Sequence, residues 1–235
     1  MKTHVNIFTS PQAVAEAFAV FFQKWVADKN TFTVALSGGS TPKLLFRQLA
    51  EHYRERIAWD KLHFFWGDER CVPPDHADSN YRMTDEMLLR HIVMPPENIH
   101  RIRGEAEPVL EAERYAAEIL DIVPLKDGWP AFDLILLGMG EDGHTASIFP
   151  DQMQLLDTSK VCAVATHPVS GQQRITLTGK VINHAAKVAF LVTGNSKRQV
   201  VKDIQGKTGA WEKYPAAHIK ARGDLYWFMD EQAAH

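Results

Sequence analysis

Short apolar runs alternate with amphipathic stretches along most of the chain. Ser10-Pro11 reads as a helix start, with Ser10 as N-cap and proline at the first helical position, where its missing N–H is no loss. Val14, Phe18, Phe21, Phe22, Trp25 and Val26 then recur at helical spacing and predict one apolar face. A β-rich run over 32–36 ends in Ser37-Gly38-Gly39-Ser40-Thr41-Pro42, where Thr41-Pro42 repeats the cap-plus-proline signal and predicts a helix over 42–53. The pattern continues with a strand over 62–66 and helices over 81–91 and 112–122. The continuous apolar run at 133–137 predicts a central strand covered on both faces. Further strands are expected over 161–165, 174–178, 187–192 and 225–228, with a helix over 196–204. Alternation of this kind implies an α/β fold: a mainly parallel, Rossmann-like sheet with helices on both faces. No internal repeat or low-complexity tract occurs, and 124–130 is too short for a linker, so one domain over 1–235 is expected.

Composition narrows the class of function. A chain of 235 residues buries roughly three-quarters of its unfolded surface and needs neither disulfide nor metal to fold. Apolar residues make up 45% and charged residues 23%, an ordinary globular balance. The net charge is −3 and no Lys/Arg run stands out, which argues against a nucleic acid or an acidic membrane as main partner. Cys71 and Cys162 fit no CxxC or zinc spacing, so a reducing, cytoplasmic setting is expected. Residues 1–10 lack an apolar core of the signal-peptide kind, and no apolar run reaches the ~18 residues of a membrane span.

Ligands of open α/β sheets bind beyond the carboxyl ends of the strands, and three loops there are unusual. In the first, Gly38 and Gly39 allow close backbone approach, while Ser40, Thr41 and the following helix N-terminus offer donors. A well-capped tight turn is the plain alternative. The second, Leu137 to Thr145, contains a literal GxGxxG at Gly138, Gly140 and Gly143. Glu141 and Asp142 would set carboxylates against a pyrophosphate, and the motif lies mid-chain, so a dinucleotide is disfavoured. More telling is Asp142-Gly143-His144, a carboxylate and an imidazole on a glycine turn, suited to proton transfer. The chain has eleven histidines, and His144 is singled out by position and neighbours alone. In the third loop, Thr193 to Arg198, Lys197 sits in a first helical turn, where a cation wants a compensating anion. Either a bound phosphate or solvent would answer it. Arg70 and Arg82 flank an acidic stretch and either grip an anion or neutralise Asp68 and Glu69; Arg174 is a further cation. No GxSxG elbow, P-loop or HExxH is present, so serine-hydrolase, nucleotide and zinc-protease chemistry lack support.

Taken together these segments resemble the 6-phosphogluconolactonases. The match rests on Ala35-Leu36-Ser37-Gly38-Gly39-Ser40-Thr41-Pro42, Trp66-Gly67-Asp68-Glu69-Arg70, Asp78-Ser79-Asn80-Tyr81-Arg82, the run Leu137 to Pro150, Arg174-Ile175-Thr176-Leu177-Thr178 and Gly194-Asn195-Ser196-Lys197, in family order. Glucosamine-6-phosphate deaminases are similar but look like His-Ile-Ala-Phe-Asn-Glu-Pro after the histidine; here His144-Thr145-Ala146-Ser147-Ile148-Phe149-Pro150 carries no glutamate. The resemblance implies a carboxylic ester hydrolase that opens 6-phospho-D-glucono-1,5-lactone to 6-phospho-D-gluconate in the pentose phosphate pathway, without metal or cofactor. A deaminase/isomerase-type sugar-phosphate enzyme is the alternative. It further implies His144 as general base, Asp142 as its support, and N–H groups near Gly38 and Gly39 for the oxyanion. Ser37, Ser40, Thr41, Asp68 and Gly140 would line the substrate, and Arg174 and Lys197 would hold the phosphate with Arg70 or Arg82. The implied partner is a small phosphorylated lactone, with neither nucleic acid nor membrane, and the implied assembly is a monomer or weak dimer.

Overall fold

The computed structural model describes residues 2–235, so Met1 of the N-terminal stretch lies outside the described residues. The elements follow the order β1 (Thr3–Phe8), α1 (Pro11–Ala27), β2 (Phe32–Leu36), α2 (Ser40–His52), β3 (Leu62–Trp66), β4 (Asp68–Arg70), α3 (Asn80–Met87) and α4 (Pro108–Ile122). A two-residue hairpin, β5 (Leu125–Lys126) and β6 (Trp129–Pro130), precedes β7 (Leu134–Leu137), β8 (Cys162–Thr166), β9 (Gln173–Leu177) and α5 (Gly179–His184). The chain closes with β10 (Lys187–Val192), α6 (Arg198–Gly206), β11 (Asp224–Asp230) and α7 (Glu231–Ala234).

Six strands form one sheet in the order β1-β11-β10-β7-β2-β3, every pair parallel. Every residue of β2 and β7 is buried, as expected of strands covered on both faces. On one face α1 docks its apolar stripe: Phe18 meets Phe228 edge-on at 5.0 Å and Phe22 meets Phe32 at 6.1 Å. Ser10 caps that helix, its Oγ accepting from Ala13 N at 3.2 Å. On the other face Phe65 packs against Tyr115 of α4, whose hydroxyl donates to Trp66 O and accepts from Trp66 N. The β2/β7 register is held by Asp133, which accepts from Thr33 N and Oγ1 at 3.0 and 3.2 Å.

From β2 the chain crosses through α2 to β3 on one side, whereas β7 leads to β10 on the other. Loops diverge where the order reverses, and this opens a crevice at the carboxyl ends of β2 and β7.

Besides shifted helix ends, with α3 stopping at Met87 and α4 starting at Pro108, three features depart from the expected pattern. Strands over 161–165 and 174–178 were expected within the parallel alternation, but β8 and β9 join β4 in a separate antiparallel sheet of order β4-β9-β8. Gly67 hinges the two sheets, its N–H donating to Leu36 O and its carbonyl accepting from Leu177 N, both at 2.8 Å. The helix expected from Pro42 starts at Ser40, because Gly39 takes φ 110° and turns the chain early. Finally, β1 was not anticipated: it is an edge strand whose side chains are exposed or half-buried. Among the described residues no helix is long and apolar enough to cross a membrane.

Candidate active site

The crevice is a cavity of about 260 Å³. The loop after β2 supplies Ser37, Gly38 and Gly39 and the first turn of α2 Ser40 and Thr41; the loop after β7 supplies Gly140 and His144; the loop after β10 supplies Thr193 and Lys197. The small sheet adds Asp68, Arg70 and Arg174. Thr41 and Thr193 tie two of these loops through a hydroxyl pair at 2.8 Å.

His144 ends a tight turn. Gly143 takes φ 78°, and Gly140 N donates to His144 O at 2.9 Å. A side chain at Gly140 would strike the imidazole, with its Cβ 2.2 Å from His144 Nδ1. Asp142 Oδ1 accepts from His144 Nδ1 at 2.6 Å and from His144 N at 3.1 Å. That bond assigns the ring proton to Nδ1 and leaves the Nε2 lone pair free. Burial pushes the Asp142 carboxyl up, but the hydrogen bond and charge of His144 outweigh it and hold it below its ordinary value. Asp142 itself stands behind the histidine and does not line the cavity.

The Phe149 ring joins the imidazole to the cations, with His144 at 4.9 Å and Arg174 Cζ over its face at 5.6 Å. Arg174 and Arg70 are directly opposed in the β4/β9 register. Like charges in such a pair repel. Both Nε atoms are buried without a partner, although Arg70 Nη1 donates to Asp78 O at 2.6 Å. Burial and then Arg70 hold the Arg174 guanidinium below its ordinary value. Two opposed guanidinium groups with buried, unpartnered Nε atoms in one wall create a demand for an anion. Lys197 Nζ stands 3.9 Å from Glu141 Oε1, a well-exposed carboxylate that answers it only loosely. The α2 N-terminus reaches the same cavity without a side-chain cap.

Glu69 knots the small sheet to α3. Its buried carboxylate accepts from Arg70 N, Asn80 N and Tyr81 N, each at 2.8 Å, and from Ser79 Oγ at 3.0 Å. Burial raises its pKa despite these four bonds. Asp68 Oδ2 accepts from Ser147 Oγ at 2.7 Å. Burial, followed by the Glu69 charge, pushes the Cys71 thiol up to about 11, which disfavours the thiolate.

Of the residues expected from the sequence, Arg82 is the one placed apart. It lies on α3 outside the cavity, its Nε donating to Glu86 Oε1 at 2.7 Å and its Nη1 to Asp75 O at 2.8 Å. The i,i+4 spacing to Glu86 was the available signal for that structural pairing. Conversely, Asn80, Ala146 and Thr193 line the cavity without having been singled out. Among the described residues no three His, Cys, Asp or Glu side chains converge as a metal site.

A family profile described as glucosamine-6-phosphate isomerases/6-phosphogluconolactonase matches residues 9–227. The chain is 46% identical to a 6-phosphogluconolactonase of Haemophilus influenzae over 222 residues, 94% of this chain and 92% of that one. The structure of 6-phosphogluconolactonase from Trypanosoma brucei superposes with a TM-score of 0.88 at 31% identity, covering 99% and 98% of the two chains. A monomeric glucosamine-6-phosphate deaminase matches with a TM-score of 0.84, covering 100% and 99%; at 19% identity that likeness concerns the fold alone.

Proposed function

The chain belongs to the glucosamine-6-phosphate isomerase/6-phosphogluconolactonase family, and from that premise we propose that it hydrolyses 6-phospho-D-glucono-1,5-lactone to 6-phospho-D-gluconate. One observation carries the reading: an imidazole with a free Nε2 shares a cavity with two opposed arginines whose Nε atoms are buried and unpartnered. A phosphorylated ester needs a base at one end and an anion site at the other.

In this reading Arg174 and Lys197 hold the 6-phosphate, with Arg70 alongside, so that the lactone carbonyl meets His144. His144 Nε2 takes a proton from the attacking water as its oxygen bonds C1. The carbonyl electrons move onto oxygen, and N–H groups at Gly38 and Gly39 stabilise the resulting oxyanion. Collapse of that intermediate breaks the bond from C1 to the ring oxygen, which leaves with the proton returned by His144. Asp142 keeps the proton on Nδ1 and stabilises the imidazolium between the two transfers. One placed base contributes roughly 10²–10⁴-fold, a sensible supplement for an ester that already opens in water.

The deaminase alternative lacks its carboxylate here, since the residues after His144 are Thr145, Ala146, Ser147, Ile148 and Phe149. We place the enzyme in the cytoplasm, where the free thiols of Cys71 and Cys162 stay reduced, as one domain over 1–235 and a monomer or weak dimer. Freshly generated 6-phosphogluconolactone tests the function: acid release above the spontaneous rate is expected. Ammonia release from glucosamine 6-phosphate in place of lactone opening would overturn it.

A further inference from the structure

We propose that Asn80 is a specificity-determining residue whose carboxamide oxygen accepts a hydrogen bond from one ring hydroxyl of the substrate; this rests on the lactone reading above. The cavity is rich in donors, with Arg70, Arg174, Lys197 and the hydroxyls of Ser40, Thr41 and Thr193. A polyhydroxylated ring also needs acceptors, and besides the hydroxyls and His144 the side chains that offer one are Asp68 and Asn80. Asn80 is 3% exposed yet lines the cavity. Its Nδ2 donates to Asp68 O at 2.9 Å, and because a carbonyl cannot donate, that bond fixes which end of the amide is oxygen. Among the described residues no protein donor reaches Oδ1. The oxygen instead lies over Gly38, where a built Cβ would come within 1.9 Å of it. Glycine at position 38 is therefore what leaves room for this oxygen in the wall.

The backbone beneath it is equally fixed. Asn80 N donates to the buried Glu69 carboxylate at 2.8 Å, and Ser79 caps α3 by accepting from Arg82 N. A rigid amide with its donor used and its acceptor open to the cavity is placed to receive a hydroxyl. Sites that hydrogen-bond a substrate hydroxyl discriminate strongly against analogues lacking it.

The test compares kcat/KM, above the spontaneous rate, on the parent 6-phospholactone and on its 2-, 3- and 4-deoxy analogues. Wild type is expected to lose about tenfold on one analogue. Asn80→Ala is expected to lose a similar factor on the parent and nothing further on that analogue, while the other two keep their wild-type ratios. Equal losses on all four substrates would reduce Asn80 to a structural part and overturn the proposal. Should the variant not fold, the wild-type series decides: three deoxy analogues within twofold of the parent also overturn it. A wild type inactive on the parent lactone sinks the proposed function itself, a separate outcome.

Discussion

Two clusters of charge in this molecule are built from the same residue types and differ in how the charges are answered. On α4, buried Glu111 accepts from Arg114 Nε and Nη2, both at 2.6 Å, and from Arg103 N at 2.7 Å. Glu118 takes the remaining Arg114 donor and His100 Nδ1, and His100 Nε2 meets His63 Nδ1 at 3.0 Å. Each member finds its partner inside the chain. In the cavity, Arg70 and Arg174 face one another with both Nε atoms buried and unpartnered. A cation answered within the protein contributes to folding, whereas one left open in a cavity is stabilised only when an anion arrives. The contrast predicts that lesions in the two clusters separate: the cavity group governs turnover and binding, and the α4 group governs stability.

The largest effect is expected at the imidazole. His144→Ala should lower kcat by roughly 10²–10⁴-fold, with the thermal midpoint and phosphate affinity nearly unchanged. Wild-type turnover in that variant would remove the general-base assignment. Next comes the α4 cluster, where Glu111→Ala leaves Arg114 to Glu118 alone among carboxylates, strands the Arg103 amide and should cost about 2 kcal/mol of stability. Denaturant titration measures this, and kcat/KM per folded molecule should not move. If activity fell and stability held, the separation of the clusters would be wrong.

A smaller, more diagnostic effect is expected from Arg174→Ala. KM for the 6-phosphorylated lactone should rise by about 10–100-fold, and far less for an unphosphorylated lactone. Stability should hold or rise slightly, because one of two opposed like charges is gone. Inorganic phosphate should raise the melting temperature of wild type and not of the variant. Equal KM effects on both lactones would place the phosphate elsewhere.

That pairing of arginines shows where sequence reading stops. Arg70 and Arg174 were each visible as cations, and so were the glycine turns and the carboxylate beside His144, because strand-end loops advertise themselves locally. The opposition of the two arginines depends on β4, a three-residue strand of Asp68, Glu69 and Arg70 with no β-forming residue. Its pairing with β9 joins segments over a hundred residues apart, and no local signal reports that. Asn80 was visible only as part of the Asp78 to Arg82 segment, and the packing over Gly38 is what shows where its oxygen lies. β1 escaped because an exposed edge strand lacks the apolar run that marked β2 and β7.

The smallest effect sharpens the comparison by pH. His100 Nδ1 hydrogen-bonds Glu118 Oε1 at 2.9 Å, and with a neutral His100 ring this leaves Nε2 to accept from His63 Nδ1 at 3.0 Å. A proton added to His63 would charge a ring that is partly desolvated and adjacent to His100. Burial first, and His100 second, therefore hold the His63 pKa below its ordinary value. The unfolded chain then takes up this proton before the folded one does. Stability from His63 is complete above the unfolded value and is lost as pH falls through it, over about pH 7 to 5. His63→Gln keeps an N–H to offer His100 and removes the titration, so the slope of stability against pH should flatten modestly across that window. His63 does not line the cavity, so the pH profile of kcat/KM should be superimposable on that of wild type. An unchanged stability slope would show that His63 titrates as in the unfolded chain. A shifted activity profile would show that the α4 cluster and the cavity are coupled after all.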